Sequence, residues 1–194
     1  MPIEAGTLEA TARIFCDHLN HVVNRTVSQT RLVWFHVEGQ PLGEITFRQT
    51  GAPTRARLRT RFGPMWLSLG QLCGSIVQPG GLHRLYTAKY KYTITRDGTE
   101  EPLLRWEYVR RYPSPDDRWC RHHLQGNVRL GLYDGATELT LDALHVPTGF
   151  TTVEEVLRFC ITDLGVNPLS ADWDRILTES YERFKTDFTS WREP

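Results

Sequence analysis

The sequence lacks any long hydrophobic run, and no segment approaches the length of about 20 apolar residues that a helix needs to cross a bilayer. Its first residues, MPIEAGT, also lack the basic and then apolar profile of a secretory signal peptide. These absences argue against a membrane-spanning protein. They predict a soluble, cytoplasmic protein that has no membrane partner.

Cysteine is scarce, and its spacing excludes the common zinc motifs. The 194 residues include four cysteines and no C-x-x-C pair, so reduced thiols are predicted at Cys16, Cys73, Cys120 and Cys160. The sequence also has no P-loop, no GxGxxG after a predicted strand, no GxSxG and no HExxH. We therefore predict no metal site and no cofactor.

Net charge is absent too, because 23 basic residues balance 23 acidic ones. This balance argues against a protein that coats nucleic acid indiscriminately, for which a strongly basic domain is usual. The charges are nevertheless segregated, since residues 48–61 contain five arginines and no acid, whereas residues 134–155 contain five acids and no lysine or arginine. The length predicts a single domain over residues 1–194, because domains commonly have about 100 to 200 residues.

Hydrophobic periodicity predicts helices near both ends of the chain. Residues 8–23 place apolar side chains at spacings of three and four, as on one face of a helix. In the C-terminal third, Thr152 and Glu155 form a capping box before an apolar stripe. A further helix is predicted from Ser170, so the sheet-forming part of the chain lies between one helix and two.

Between these ends the apolar period is two, as in β-strands. Strands are predicted at residues 32–37, 44–48, 54–62, 85–95, 103–110, 119–132 and 138–144. Residues 64–77 are predicted instead to form a short helix that begins at Pro64 and is weakened by two glycines. The order predicts an α+β fold: a mainly antiparallel sheet of six to seven strands, with an N-terminal helix and two C-terminal helices packed on one face.

The strand predicted at residues 54–62 has arginine at alternate positions along one face. This arginine row consists of Arg55, Arg57, Arg59 and Arg61. Same-face neighbours on a strand are about 7 Å apart, so their charges repel unless an anion compensates them. RNA, an acidic partner and the chain's own acids remain alternative sources of that charge, and the zero net charge favours the last two. The row is a candidate substrate-binding surface.

The stretch RWCRHHLQG places two adjacent histidines in a predicted strand. Strand alternation puts His122 in an apolar row with Leu124, where a hydrogen-bonded core histidine is expected. It puts His123 in a polar row with Arg121 and Gln125, so His123 is the better candidate for direct chemistry. A β-bulge would be needed to turn both histidines toward one site.

Hairpin pairing of the neighbouring strands would collect a cationic surface around His123. Its predicted members are Lys89, Lys91, Arg105, Glu107 and Arg121. Such a surface can cleave RNA without a metal, because a base removes the 2′-hydroxyl proton, cations stabilise the phosphorane and a second group protonates the leaving oxygen. His123 would be the base or acid, His122 its orienting neighbour, and the arginines the phosphate-stabilising cations. The alternative is a charged, solvated strand face without a site.

The sequence has three further candidate histidines. His145 ends a predicted strand, where the alternatives are a third site histidine and a turn-stabilising residue. His18 and His21 are three residues apart on the predicted N-terminal helix, close to a metal-binding spacing, but no third ligand is evident nearby. Solvated helix residues are therefore predicted at both positions.

Part of the sequence resembles the TumE-like family of small toxins from toxin–antitoxin modules. The matching segments are YTAKYKY at residues 86–92, LLRWEY at residues 103–108, Tyr112-Pro113, and RHHLQG at residues 121–126. The resemblance covers about residues 85–126 and implies an RNA-directed, toxin-like protein with an antitoxin as its partner.

Two hypotheses follow for the function. The first is a metal-independent ribonuclease-like or RNA-binding protein that uses a cationic sheet face and histidine acid–base chemistry. The second is a non-enzymatic protein-interaction module or a subunit of a toxin–antitoxin or defence complex, which binds a protein through the sheet face or the C-terminal helices. The sequence does not decide whether the protein is an enzyme.

Overall fold

A computed structural model describes residues 3–110, 121–130, 139–141 and 144–187, and it arranges them as a sheet covered by helices. The elements are, in chain order, β1 (Glu4–Ala5), α1 (Leu8–Thr26), β2 (Leu32–His36), β3 (Gly43–Gln49), β4 (Ala52–Pro53), β5 (Ala56–Thr60), β6 (Gly63–Val77), β7 (His83–Arg96), β8 (Pro102–Val109), β9 (His122–Gln125), β10 (Arg129–Leu130), β11 (Leu139–Thr140), β12 (Val146–Pro147), α2 (Val153–Thr162) and α3 (Trp173–Asp187). Within these residues, no helix is long and apolar enough to span a membrane.

Ten of the strands form one antiparallel sheet. Its main path runs β12-β9-β8-β7-β6-β3-β2, while β1, β4 and β5 pair at the side with β7, β3 and β6. The short strands β10 and β11 form a separate two-stranded sheet. The predicted α+β class with a mainly antiparallel sheet is confirmed.

The three helices cover one face of the large sheet, as predicted. One hydrophobic cluster joins side chains of α1, α2 and α3 to the inward-facing residues of the strands, including Leu67, Ile94 and Trp106. The Trp106 ring meets Phe159 of α2 edge-on, with 5.4 Å between ring centroids. We call this covered side the inner face, and the opposite side, which carries Arg105, Glu107 and His123, the outer face.

The prediction of a helix at residues 64–77 is wrong, because this segment is the long strand β6. Met65 and Leu67 are buried on the inner face, while Trp66 and Ser68 alternate with them on the outer face. Glycine fits here because a neighbouring side chain fills the space above it. At Gly74, an added Cβ atom would lie 2.5 Å from the Tyr86 ring of β7. Cross-strand packing therefore supports a strand that glycine alone would weaken.

The end of the predicted meander also differs. Only residues 139–141 and 144 of the strand predicted at residues 138–144 are described, and β11 pairs there with β10. The strand that joins the edge of the large sheet is β12, which pairs with β9. The predicted loop at residues 112–117 and the turn at Asp134-Gly135 lie outside the described residues.

The helix starts follow the sequence signals. The Thr7 hydroxyl caps α1 by accepting a hydrogen bond from the Ala10 N–H, and Thr152 and Glu155 form the predicted capping box of α2. The prediction for His18 is wrong, because its Nε2 lies 2.8 Å from Ser180 Oγ of α3, whereas His21 is exposed as predicted.

Tyr90 joins the sheet to the helical layer. Its side chain is 1 % exposed, and its hydroxyl accepts a hydrogen bond of 2.9 Å from the Thr151 N–H, just before α2. Its ring meets Phe150 edge-on, and Phe150 stacks on Phe184 of α3. Burial raises the pKa of Tyr90 to about 12, so the hydroxyl stays neutral where the sheet meets the helices.

A buried carboxyl group lies between the helices. Glu154 of α2 is 4 % exposed, and its Oε1 accepts a hydrogen bond of 2.5 Å from Ser180 Oγ, which also contacts His18. Burial raises the pKa of Glu154, outweighing the opposite effect of the hydrogen bond from Ser180. The nearby charge of Glu155 raises it further. The folded protein therefore holds this proton more tightly than the unfolded chain does.

Replacing Glu154 with Gln is expected to stabilise the protein at neutral pH. Because the folded pKa is raised, the folded state binds more protons, and the free energy of unfolding falls as pH rises from the unfolded pKa to the folded one. Glutamine keeps an oxygen for Ser180 but cannot ionise. Urea unfolding at about pH 7 should show a gain above the ~0.5 kcal/mol range of ordinary surface substitutions.

At about pH 4, where the carboxyl is largely protonated in both states, this gain should shrink or vanish. Glu38→Gln, at an exposed glutamate in the β2–β3 turn, is the control and should change little at either pH. An equal gain for Glu154→Gln at both pH values would contradict burial of a charge as its cause.

Candidate functional site

Three adjacent strands place Lys91, Glu107 and His123 in line across the outer face. Lys91 of β7 lies opposite Glu107 of β8, which lies opposite His123 of β9. Directly opposed residues of an antiparallel pair have Cβ atoms about 5 Å apart, close enough for their side chains to interact. The strand register therefore assembles this part of the site.

Glu107 is the centre of the cluster. Its Oε1 lies 3.4 Å from Lys91 Nζ, and its Oε2 lies 3.2 Å from Arg105 Nε and 3.4 Å from His123 Nε2. The side chains of Glu107, Arg105 and His123 are 22 %, 23 % and 16 % exposed, so water screens them only in part. Lys91 and Arg105 together carry two positive charges and Glu107 carries one negative charge. The net charge of these three residues is therefore positive and attracts an anion.

A second chain of contacts leads from Arg105 to His145. Arg105 donates a hydrogen bond to Gln125 Oε1, and arginine cannot accept one, so the amide orientation of Gln125 is defined. Gln125 Nε2 then faces His145 Nε2 at 3.0 Å and donates to it when His145 is neutral, which places the imidazole proton on Nδ1. The rings of His145 and His123 have centroids 4.9 Å apart. His145, whose role the sequence left open, therefore lies at the site.

Two predicted members lie at the margin of the cluster. Lys89 is exposed, two residues before Lys91 on the same face of β7, and the two lysines line a groove of about 260 Å³. Arg121 is exposed in the bend that precedes β9. Both border the cluster on the strands that form it.

The structure does not bring His122 to the cluster. The alternation predicted for the histidine pair is confirmed, since His122 faces the inner side and stacks on Tyr108 with 4.4 Å between ring centroids. Phe150 meets the same imidazole edge-on. Because the sheet separates His122 from the outer face, it can act on His123 only through the position of β9.

The arginine row is partly neutralised by acids of the chain itself. Arg55 pairs with Glu100 at 3.1 Å, and Arg57 lies 3.8 Å from Asp97, both acids belonging to the β7–β8 turn. Trp66 Nε1 donates a hydrogen bond of 2.7 Å to Asp97, and both arginines lie over the Trp66 ring. Arg55 and Arg57 are therefore already held by contacts within the protein, and acids of the chain offset their charges.

The other two arginines of the row differ from each other. Arg59 is on the outer face opposite Pro64, is exposed, and has no acidic partner among the described residues. Arg61 has left the strand, because β5 ends at Thr60. Its backbone N–H donates to the Leu164 carbonyl, and its side chain lies beside Gly165, so Arg61 does not continue the strand that carries the other three.

Sequence reasoning gave no role to Gln125, although its position beside His123 was visible. Gln125 is 5 % exposed, and both ends of its amide are engaged, so it holds Arg105 and His145 in place. The available signal was that Gln125 lies two residues after His123, a spacing that places both side chains on the same face of a strand. The contact with His145 required the return of the chain through β12, which lies beside β9.

The arrangement is suited to proton transfer next to a bound anion. Imidazole groups exchange protons near neutral pH, and a carboxylate beside one stabilises its protonated form. Arginine and lysine donate hydrogen bonds to phosphate oxygens, and their positive charges attract the negative phosphate. Among the residues that the structure describes, no group of three or more His, Cys, Asp or Glu residues is placed to hold a metal ion.

Comparisons with protein-family models, with curated proteins and with solved structures found no match to this chain.

Proposed function

We propose that this protein is a metal-independent ribonuclease-like or RNA-binding protein, with toxin-like activity, that acts through its outer face. The observation that supports the proposal is the line of Lys91, Glu107 and His123 across three strands, with Arg105 beside it. Placement on paired strands of a sheet holds catalytic groups more rigidly than loops would.

In the proposed reaction, the RNA 2′-hydroxyl oxygen attacks the adjacent phosphorus. A bond forms between phosphorus and the 2′ oxygen, and the bond to the 5′ oxygen breaks. His123 accepts the hydroxyl proton, and Glu107, 3.4 Å from Nε2, stabilises the resulting imidazolium. A positioned base of this kind contributes about 10² to 10⁴ in rate.

The leaving 5′ oxygen takes its proton from a second donor, a role that we assign to Lys91. In-line displacement needs the base and the acid on opposite sides of the phosphorus. Lys91 and His123 belong to strands on either side of β8, so their backbones are about 10 Å apart with Glu107 between them. A phosphate bound above the Glu107 side chain would have one of these two groups on each side. Arg105 and the Nδ1–H of His145 then face the phosphate oxygens as hydrogen-bond donors.

The test is cleavage of labelled RNA by purified protein in EDTA. The expected products carry a 2′,3′-cyclic phosphate and a 5′-hydroxyl, and an oligomer with 2′-deoxyribose throughout should stay intact because it has no nucleophile. Failure to cleave or bind any RNA would sink the proposal, and activity that requires added magnesium would remove its metal-independent part.

A second candidate is a non-enzymatic protein-interaction module, such as an antitoxin-bound or defence-complex subunit. It is favoured by a separate surface at the β6–β7 turn, where Ile76, Val77 and Leu82 are 49 %, 60 % and 42 % exposed. Neighbouring exposed apolar side chains often mark protein contacts. Co-expression with the product of an adjacent gene should give a stoichiometric complex that Val77→Lys disrupts, and a complex indifferent to this change would exclude the surface.

A further inference from the structure

The line of site residues across the outer face continues past Lys91 to Gly70 of β6. Gly70 lies directly opposite Lys91 in the antiparallel pair of β6 and β7, and Thr46 of β3 lies opposite Gly70 on its other side. Neighbouring strands are about 4.8 Å apart, so Gly70 lies one strand beyond Lys91, on the side away from Glu107. The strand register therefore places Gly70 on the outer face, next to the candidate site.

Neither the backbone nor the packing requires glycine at position 70. Gly70 is not among the glycines with positive φ, and an added Cβ atom would lie 3.4 Å from Glu44 Oε1 and 3.5 Å from the Lys91 carbonyl oxygen, which are ordinary contact distances. Gly74 differs, because the Tyr86 ring occupies the space above it. Glycine weakens the interior of a strand, so the open space above Gly70 has a cost in stability that the fold does not require.

This open space belongs to the groove of about 260 Å³ that borders Lys91. The groove is lined by Glu44, Gly70, Leu72, Lys89 and Lys91. Leu72 is partly exposed and adds apolar surface, and the Glu44 carboxylate can accept hydrogen bonds from hydroxyl groups. These groups suit a ribonucleoside, which combines the apolar face of a base with the hydroxyls of a ribose.

The proposed reaction determines which part of the RNA is directed toward this groove. His123 accepts the proton of the attacking 2′-hydroxyl, which belongs to the nucleotide on the 5′ side of the cleaved bond. Lys91 protonates the leaving 5′ oxygen, which belongs to the nucleotide on the 3′ side. His123 and Lys91 lie on opposite sides of Glu107, and Gly70 lies beyond Lys91. The leaving nucleotide is therefore the one that extends over Gly70.

We propose that the groove above Gly70 binds the nucleoside that leaves when RNA is cleaved, so that the RNA strand crosses the sheet from β9 to β6 in the 5′-to-3′ direction. The inference rests on the proposed ribonuclease activity and adds to it a subsite and the polarity of the bound strand. Binding energy from a part of the substrate that does not react can lower the barrier at the reacting centre. A leaving nucleoside held in the groove should therefore raise the rate of cleavage.

Two substrates that differ only in the leaving group test this subsite. Each is a labelled oligomer of 2′-O-methyluridine that ends in one unmodified uridine, whose 3′-phosphate is esterified with the 5′-hydroxyl of uridine in one substrate and with methanol in the other. Both have one cleavable bond, both release a primary alcohol, and both yield the same 2′,3′-cyclic phosphate. The protein should cleave the uridine ester at least about tenfold faster than the methyl ester.

Gly70→Val should remove most of this advantage, because a branched side chain then fills the groove beside Lys91. Cleavage of the uridine ester should slow about tenfold, while that of the methyl ester should stay within about twofold of the parent. Gly70→Ala should give a smaller loss and serves as the second variant if Gly70→Val fails to fold. Ser68→Val, on the same face of β6 but outside the groove, is the matched control and should change neither rate.

Urea unfolding of each variant separates the groove from the fold, and the Gly70 variants should unfold at no lower urea concentration than the parent. Equal rates for the two esters in the parent, or an equal loss of both in Gly70→Val, would overturn the inference and leave the proposed function in place. Cleavage of neither ester would also overturn the inference. If longer RNA stays intact as well, the proposed ribonuclease activity fails with it.

Discussion

Replacement of His123 by Ala is expected to lower the rate of RNA cleavage by about two to four orders of magnitude, the usual contribution of a positioned proton-transfer group. In the proposed reaction, the imidazole is the group that accepts the 2′-hydroxyl proton. Its loss leaves Glu107 paired with Lys91 and Arg105. The measurement is single-turnover cleavage at saturating protein.

The matched control is His21→Ala, which removes an exposed histidine from α1 on the helical side of the protein. His21→Ala should unfold in urea within ~0.5 kcal/mol of the parent, as expected for a surface substitution. His123 is only 16 % exposed, so His123→Ala should stay folded but lose about 0.5 to 3 kcal/mol. Full activity in His123→Ala would remove His123 from the reaction. An equal loss in His21→Ala would show that the assay reports stability and not chemistry.

Replacement of Tyr90 by Ala is expected to cost about 3 to 5 kcal/mol of unfolding free energy, the range for deletion of a buried aromatic side chain. The change removes a ring that stacks on Tyr92 at 4.6 Å and meets Phe150 at 5.2 Å, and it also removes the acceptor of the Thr151 N–H. Equilibrium urea unfolding measures the loss. A total stability of 5 to 15 kcal/mol is typical, so this change would approach the limit of folding.

Tyr90→Phe separates the two contributions, because it keeps the ring and removes only the hydroxyl. It should cost about 1 to 3 kcal/mol, since the partly buried Thr151 N–H then lacks its partner. Tyr181→Phe, at a partly exposed tyrosine of α3, is the control and should change little. If Tyr90→Ala costs less than about 1 kcal/mol, the sheet and helices are not joined at this residue.

The parts of the fold that depend on neighbouring residues were predictable. The capping box of α2 and the opposite orientations of His122 and His123 follow from spacings of one to three residues. The line of Lys91, Glu107 and His123 was predictable for a related reason. Strands that follow one another in the sequence commonly pair, and these three residues lie on three successive strands, β7, β8 and β9.

The strand β6 was missed because its glycines were judged from the sequence alone. Tyr86 supplies the packing that Gly74 lacks, and it belongs to the next strand, so no property of residues 64–77 reveals it. The alternation of Met65 and Leu67 with Trp66 and Ser68 was the usable signal, and it is the pattern of a strand.

The position of His145 was beyond local reasoning, because it depends on the return of β12 to the edge of the sheet beside β9. The neutralisation of Arg55 and Arg57 was hidden for a similar reason. Their acids, Glu100 and Asp97, lie about 40 residues further along the chain, in a turn that only the tertiary fold brings across Trp66.

The paired arginines have a consequence for the thermodynamics of nucleic-acid binding. When binding neutralises phosphates, the logarithm of the affinity falls linearly with the logarithm of the salt concentration. The slope is set by the number of counterions that the nucleic acid releases. A phosphate that met Arg55 or Arg57 would have to displace Glu100 or Asp97 and would gain no net neutralisation. If RNA binds the outer face as proposed, counterion release comes from the other cations of that face. Residues 48–61 then contribute less to the salt dependence of binding than their arginine content suggests.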